Sequence, residues 1–200
     1  MQQNIQKNIP LHPKAKTQYT SISIIGLGYV GLPLLLALDK YAKVTGFDID
    51  NKKIEKLKQG IDETNDNDIA ALRECKAYFT SKEADIASST IKIVTVPTPI
   101  NKQHHPDLSL LKKATRMLAK HINKHDIVVY ESTVYPGVTE EICAPIIEQI
   151  SGLKYNHDFY LGYSPERLSP GNHEHALHNV VKIVSASTPE ISDILVSIYG

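Results

Sequence analysis

Residues 21–41 read SISIIGLGYVGLPLLLALDKY. The β-prone run Ser-Ile-Ser-Ile-Ile leads directly into Gly26, Gly28 and Gly31, and the third glycine opens an apolar run with helical composition. Glycines spaced G-x-G-x-x-G between a strand and a helix form the turn that cradles a dinucleotide. Gly26 permits the tight turn, Gly28 lets backbone approach a pyrophosphate, and Gly31 lets the helix lie close to the sheet. Tyr29 and Val30 stand between the glycines and share the predicted cofactor contact. The helix start offers amides without intrahelical partners, and a partial positive charge, to the phosphates. Pro33 falls in the first turn, where its missing donor matters little.

Outward from this stretch the chain alternates two patterns. Short runs rich in Val, Ile, Tyr and Phe lie at 21–26, 43–48, 77–80, 91–96, 126–132, 158–164 and 180–187. Helical patterns fill 29–41, 51–59, 107–123 and 138–150. Several of the β-rich runs are continuously apolar, as in strands covered on both faces. Strand and helix in alternation predict an α/β fold: a doubly wound, mainly parallel sheet of the Rossmann type. Such a sheet binds its ligand at the carboxyl ends of the strands. The expected division is a polar tail over 1–18, with two prolines and no apolar period, and an NAD-binding Rossmann-type domain over 19–200. Residues 188–199 begin as a helix with Thr188 ahead of Pro189 and Glu190, so the chain reads as cut at a domain edge.

Asp48 ends the second β-rich run, 17 residues beyond Gly31. A carboxylate there accepts hydrogen bonds from the adenosine ribose and repels a 2′-phosphate, which predicts NAD over NADP. Lys52 and Lys53 follow closely and pull the other way, although Lys53 is also a candidate cofactor contact. Composition narrows the partners. Lys plus Arg equals Asp plus Glu at 22 each, with basic residues spread singly, so nothing suggests nucleic acid. No apolar run reaches the roughly 18–20 residues of a membrane span, and the N-terminus lacks the apolar segment of a signal peptide. The expected location is the cytoplasm, with no membrane partner.

Six stretches carry a resemblance. IIGLGYVGLPL, GFDIDNKKIEKLKQG, VPTPI, PDLSLLKKA, VVYESTVYPGVTEEICAPIIE and YSPERLSPG occur in that order from about residue 20 onward. Together they resemble the N-terminal half of the UDP-glucose/GDP-mannose dehydrogenase family. The YESTVYPG and YSPER spellings are closer to its bacterial UDP-N-acetylhexosamine 6-dehydrogenases than to the UDP-glucose branch. The resemblance implies oxidation of a UDP-sugar 6-hydroxyl to the uronic acid with two NAD, for surface polysaccharide biosynthesis. It implies passage through a cysteine-bound thiohemiacetal and thioester. The nucleophilic cysteine, with a lysine and an asparagine, belongs to a later segment of the family pattern. Cys75 and Cys143 do not match it, so this stretch alone is expected to be inactive. The full-length protein is expected to be a homodimer or larger.

The resemblance also assigns site residues. Thr133, at the tip of VVYEST, would set a hydroxyl beside the nicotinamide and the reacting carbon. Glu166 in YSPER would touch substrate and assist thioester hydrolysis, with Arg167 and Leu168 lining the sugar nucleotide. Pro97 and Thr98 would belong to the loop that closes on the cofactor. Glu131 and Ser132 are expected to hydrogen-bond neighbouring loop amides.

No metal is expected. His173, His175 and His178 match no zinc spacing, and His104 and His105 sit in a loop. Cys143 reads as a helix residue in an apolar face marked by Ile142, Ile146 and Ile150. Two alternatives to the dehydrogenase stay open: a non-catalytic nucleotide-binding Rossmann module, and a hydroxyacid-type NAD-dependent dehydrogenase.

Overall fold

The computed structural model describes residues 21–63, 69–100, 105–165 and 182–199. The tail expected over 1–18 lies outside them. Seven strands form one sheet: β1 (Ser21–Ile25), β2 (Lys43–Phe47), β3 (Tyr78–Thr80), β4 (Ile91–Val94), β5 (Ile127–Tyr130), β6 (Tyr160–Tyr163) and β7 (Ser185–Ala186). The order is β3-β2-β1-β4-β5-β6-β7. All neighbours pair in parallel except β7, which runs antiparallel to β6 over two residues. Of the strand predicted over 180–187, residues 180 and 181 lie outside the described residues, and the observed pairing is confined to Ser185–Ala186. Within that run, Lys182 and Val184 make side-chain contacts ahead of the pairing.

The helices are α1 (Gly31–Leu38), α2 (Asn51–Lys58), α3 (Ile69–Glu74), α4 (Ser109–Ala119), α5 (Ala144–Ser151) and α6 (Pro189–Tyr199). A 3₁₀ turn covers Glu83–Ser88, and a π-helical turn covers Val138–Cys143 ahead of α5. Strand side chains alternate between two cores, as a period of two requires. Ile91, Ile93, Ile127 and Val129 pack with α1, α2 and α6, and Val94, Val128 and Tyr130 pack with α4 and α5. Helix α1 is apolar nearly all round because it is buried nearly all round. In α4 the predicted face holds: Leu111, Ala114 and Leu118 are buried, with Leu108 and Ile122 flanking. In α5 it is displaced. Cys143, Ala144 and Ile147 face inward, while Ile150 is exposed, because the wider π turn rotates the helix that follows.

One charged pair lies inside the sheet. Lys92 of β4 is fully buried, with Nζ 2.6 Å from Asp126 Oδ2 and 2.5 Å from the Ser89 carbonyl. Burial pushes the Lys92 ammonium below its ordinary pKa and the Asp126 carboxyl above its own, against the attraction between them. Among the described residues no helix is long and apolar enough to cross a membrane.

Candidate cofactor site

The sheet changes direction between β1 and β4, whose first connections leave to opposite sides. That reversal opens a crevice at the carboxyl ends of the strands. Four chain segments meet there: the glycine turn after β1, Asp48 after β2, residues 95–98 after β4 and residues 131–133 after β5.

The glycine turn is built from the backbone outward. Gly26 adopts φ +99°, a left-handed conformation open to glycine, and its amide donates to the Phe47 carbonyl at 2.8 Å. A Cβ on Gly31 would stand 1.9 Å from the Gly26 carbonyl oxygen and 2.5 Å from Thr95 Oγ1, so no side chain fits. A Cβ on Gly28 would meet nothing within 4 Å. The turn is thus tight where it touches protein and open where a phosphate would lie. Helix α1 is wound back into it, with the Leu32 amide donating to Gly28 and the Leu34 amide to Val30. The amides of the turn before that are the ones a helix leaves without partners of its own. Tyr29 is half-exposed at this end, whereas Val30 is buried beneath it.

Asp48 is placed in the crevice as expected, but it is already engaged. Its Oδ2 accepts from the Leu27 amide and from Lys53 Nζ, both at 2.9 Å, and Oδ1 accepts from the Asp50 amide at 2.9 Å. The carboxylate therefore ties the glycine turn to the end of β2, and Lys53 is its counter-ion. A carboxylate has about four acceptor positions, so one remains for a ribose hydroxyl. Asp50 has a separate task. It caps α2 by accepting from the Lys52 and Lys53 amides, and those bonds hold its carboxyl below the ordinary pKa.

The β4 and β5 tips are laced together. Ser132 Oγ donates to the Val96 carbonyl, and Thr98 Oγ1 donates to the Thr133 carbonyl, both at 2.5 Å. The expectation of loop amides as partners for Ser132 is thereby replaced by a loop carbonyl. Glu131 accepts from two side chains, Lys182 and Tyr199. Thr133 is the first exposed residue of this tip, and Pro97 lies between the two laced residues of the β4 loop.

Thr95 and Ile49 join the site without having been singled out in the sequence. Thr95 Oγ1 donates to the Gly26 carbonyl at 2.6 Å and fixes the turn from beneath. Ile49 follows Asp48 and is 87% exposed, an apolar surface beside the ribose position. Its signal was its place directly after a strand-ending acid. Glu166, Arg167 and Leu168 lie outside the described residues, as do His104, His173, His175 and His178. Cys143 is fully buried, and its thiol is pushed up by burial.

A turn open at Gly28, sealed at Gly31 and edged by a carboxylate fits a dinucleotide. The sequence matches the profile of the UDP-glucose/GDP-mannose dehydrogenase family, NAD binding domain, over residues 20–200. The chain belongs to this family. UDP-N-acetyl-D-glucosamine 6-dehydrogenase of Pseudomonas aeruginosa is 49% identical over 179 residues, covering 89% of this chain and 42% of that protein. Protein CapL of Staphylococcus aureus is 44% identical over 180 residues, covering 90% and 42%. Among solved structures, UDP-D-ManNAc dehydrogenase from Pyrococcus horikoshii superposes with a TM-score of 0.81 at 30% identity, over 90% of this chain and 44% of that one. A ternary complex of GDP-mannose dehydrogenase from Pseudomonas aeruginosa gives 0.82 at 27% identity, over 89% and 43%. The Rossmann-type sheet and NAD as cofactor follow from this membership. The chain spans about two-fifths of the length of the curated relatives it matches.

Proposed function

We propose that this chain is the NAD-holding part of an enzyme that oxidises the 6-hydroxyl of a UDP-N-acetylhexosamine to the uronic acid. The observation that carries the reading is the 49% identity to a UDP-N-acetyl-D-glucosamine 6-dehydrogenase across 89% of the chain. The product would feed surface polysaccharide biosynthesis in the cytoplasm, and the full-length protein would be a homodimer or larger. The proposed domain extent is 19–200.

NAD, when bound, supplies the acceptor for the hydride from the sugar carbon. The chain's own residues hold and aim it. Gly26, Gly28, Tyr29, Val30 and Gly31 receive the pyrophosphate, with amides at the α1 start offsetting its charge. Asp48 accepts from the adenosine ribose at its remaining acceptor position, and Lys53 holds that carboxylate in orientation. Pro97 and Thr98 form the wall beside the nicotinamide. The Thr133 hydroxyl both donates and accepts, so it can hold a water or the sugar oxygen in line with the reacting carbon. By the family resemblance, Glu166 contacts substrate and assists hydrolysis of the thioester, and Arg167 and Leu168 line the sugar nucleotide.

The test uses the full-length protein with NAD and UDP-N-acetylglucosamine. NADH should form, and mass spectrometry should find the uronic acid. Thr133→Ala should lower kcat by about tenfold to thousandfold, the range for one positioning or acid–base group, while NAD affinity stays near wild type. An enzyme that makes no NADH with any UDP-N-acetylhexosamine would end this reading.

A further inference from the structure

Two residues before Thr133, the Glu131 carboxylate is 1% exposed. A charge at that depth requires partners. Lys182 Nζ lies 2.7 Å from Oε2, and the Tyr199 hydroxyl lies 2.6 Å from Oε1. The Lys182 side chain is 6% exposed, and its ammonium stands 5.3 Å from the Tyr199 ring centroid, within cation–π range. The three groups join the β5 tip, the segment entering β7 and the end of α6. Attraction within a buried ion pair is largely offset by desolvation, so such a pair does more to fix geometry than to add stability.

The position of Glu131 gives that geometry a use. Residues 130, 131 and 132 are all buried, and each is held by a different neighbour. The Tyr130 hydroxyl meets Thr115 Oγ1 at 3.0 Å, Glu131 meets Lys182 and Tyr199, and Ser132 reaches the Val96 carbonyl. We propose that Glu131, neutralised by Lys182 and oriented by Tyr199, is a positioning residue that fixes the aim of Thr133 at the reacting carbon. This rests on the role given to Thr133 above.

The double variant Glu131→Gln with Lys182→Met, made in the full-length protein, removes both members of this ion pair at once. It should melt near the wild-type temperature and bind NAD with unchanged affinity. Its kcat should fall about 10- to 100-fold, as a displaced reacting group requires. Amide deuterium exchange should quicken over residues 131–135 and stay unchanged over the glycine turn. Tyr199→Phe keeps the ion pair but removes the orienting bond, and should lower kcat by a smaller factor than the double variant. Should the double variant fail to fold, Lys182→Arg keeps the charge, moves the donor and carries the same expectation. A variant with wild-type kcat and wild-type exchange overturns the proposal. So does a fall in kcat matched by an equal loss of NAD affinity, which would make Glu131 a packing residue. If the wild-type protein oxidises no sugar nucleotide, the proposed reaction falls, and unchanged exchange over 131–135 then overturns the clamp independently.

Discussion

At the scale of single residues, Asp48 shows how a group proposed to hold the cofactor can also serve the fold. Three donors already reach it, from Leu27, Asp50 and Lys53. Removing the side chain would loosen the glycine turn as well as the cofactor, so Asp48→Ala would confuse the two. Asp48→Asn keeps a carbonyl acceptor. It should fold, weaken NAD by about 1–2 kcal/mol, and narrow the gap to NADP, as read by calorimetric titration of both nucleotides. NADP binding as tight as NAD in the wild-type chain would remove Asp48 from the selection. The glycines and Asp48 were legible in the sequence because their meaning is local: a spacing, a turn, a strand end. Lys53 was legible as a charge that opposed NAD selection and as a candidate cofactor contact, and the structure pairs it with the acid it was weighed against. Thr95 and the partners of Glu131 were not legible, since contacts 51 to 69 residues apart depend on which strands become neighbours.

At the scale of elements, continuous apolar runs marked the strands well, and weak periodicity hid the small helices. Helix α3 is six residues long and buries only Leu72, too little to leave a pattern. The π turn before α5 is equally silent, since one added residue per turn moves the inward face without altering composition. The turn between α5 and β6 carries its own acid dependence. Asp158 Oδ2 accepts from the Lys154 amide at 3.0 Å, and Lys124 stands 3.0 Å from Oδ1. The backbone bond from Lys154, then Lys124, lowers the Asp158 pKa from 3.8 to about 2. A depressed carboxylate contributes stability above its unfolded pKa and loses it as pH falls through the folded one. Acid titration followed by NMR should therefore show residues 154–159 loosening between about pH 4 and 2, and Asp158→Asn should abolish that step.

At the scale of the whole molecule, the doubly wound, mainly parallel sheet followed from the alternation of strand and helix, with β7 the antiparallel member. Its reversal was not legible, because two residues of pairing carry no directional signal in composition. The buried Lys92–Asp126 pair joins β4 to the entrance of β5 across the sheet. Losing either partner alone should destabilise the protein by about 3–5 kcal/mol, whereas Lys92→Met with Asp126→Asn should recover most of that. Urea unfolding midpoints would measure this, and additive losses would contradict the pairing. Chemistry by the 200-residue chain alone is a separate question. Cys143 is sealed in the core with its thiol pushed up, and burial followed by Asp39 raises half-buried Cys75 to about 11. Neither is a thiolate at neutral pH. Given NAD and UDP-N-acetylglucosamine, the isolated chain should bind the cofactor and accumulate no NADH. Steady turnover would show that one of these thiols acts after all.

The two hydroxyl-to-carbonyl stitches between the β4 and β5 tips have a kinetic consequence. A wall assembled only on binding would oppose association by about 1–2 kcal/mol for each backbone residue newly ordered. Here Ser132 and Thr98 have ordered that wall in advance. The four-electron oxidation proposed above would have to release one NADH and admit a fresh NAD while a half-oxidised sugar waits. In that proposed reaction a pre-ordered wall would spare the exchange the cost of ordering these residues again between the two halves.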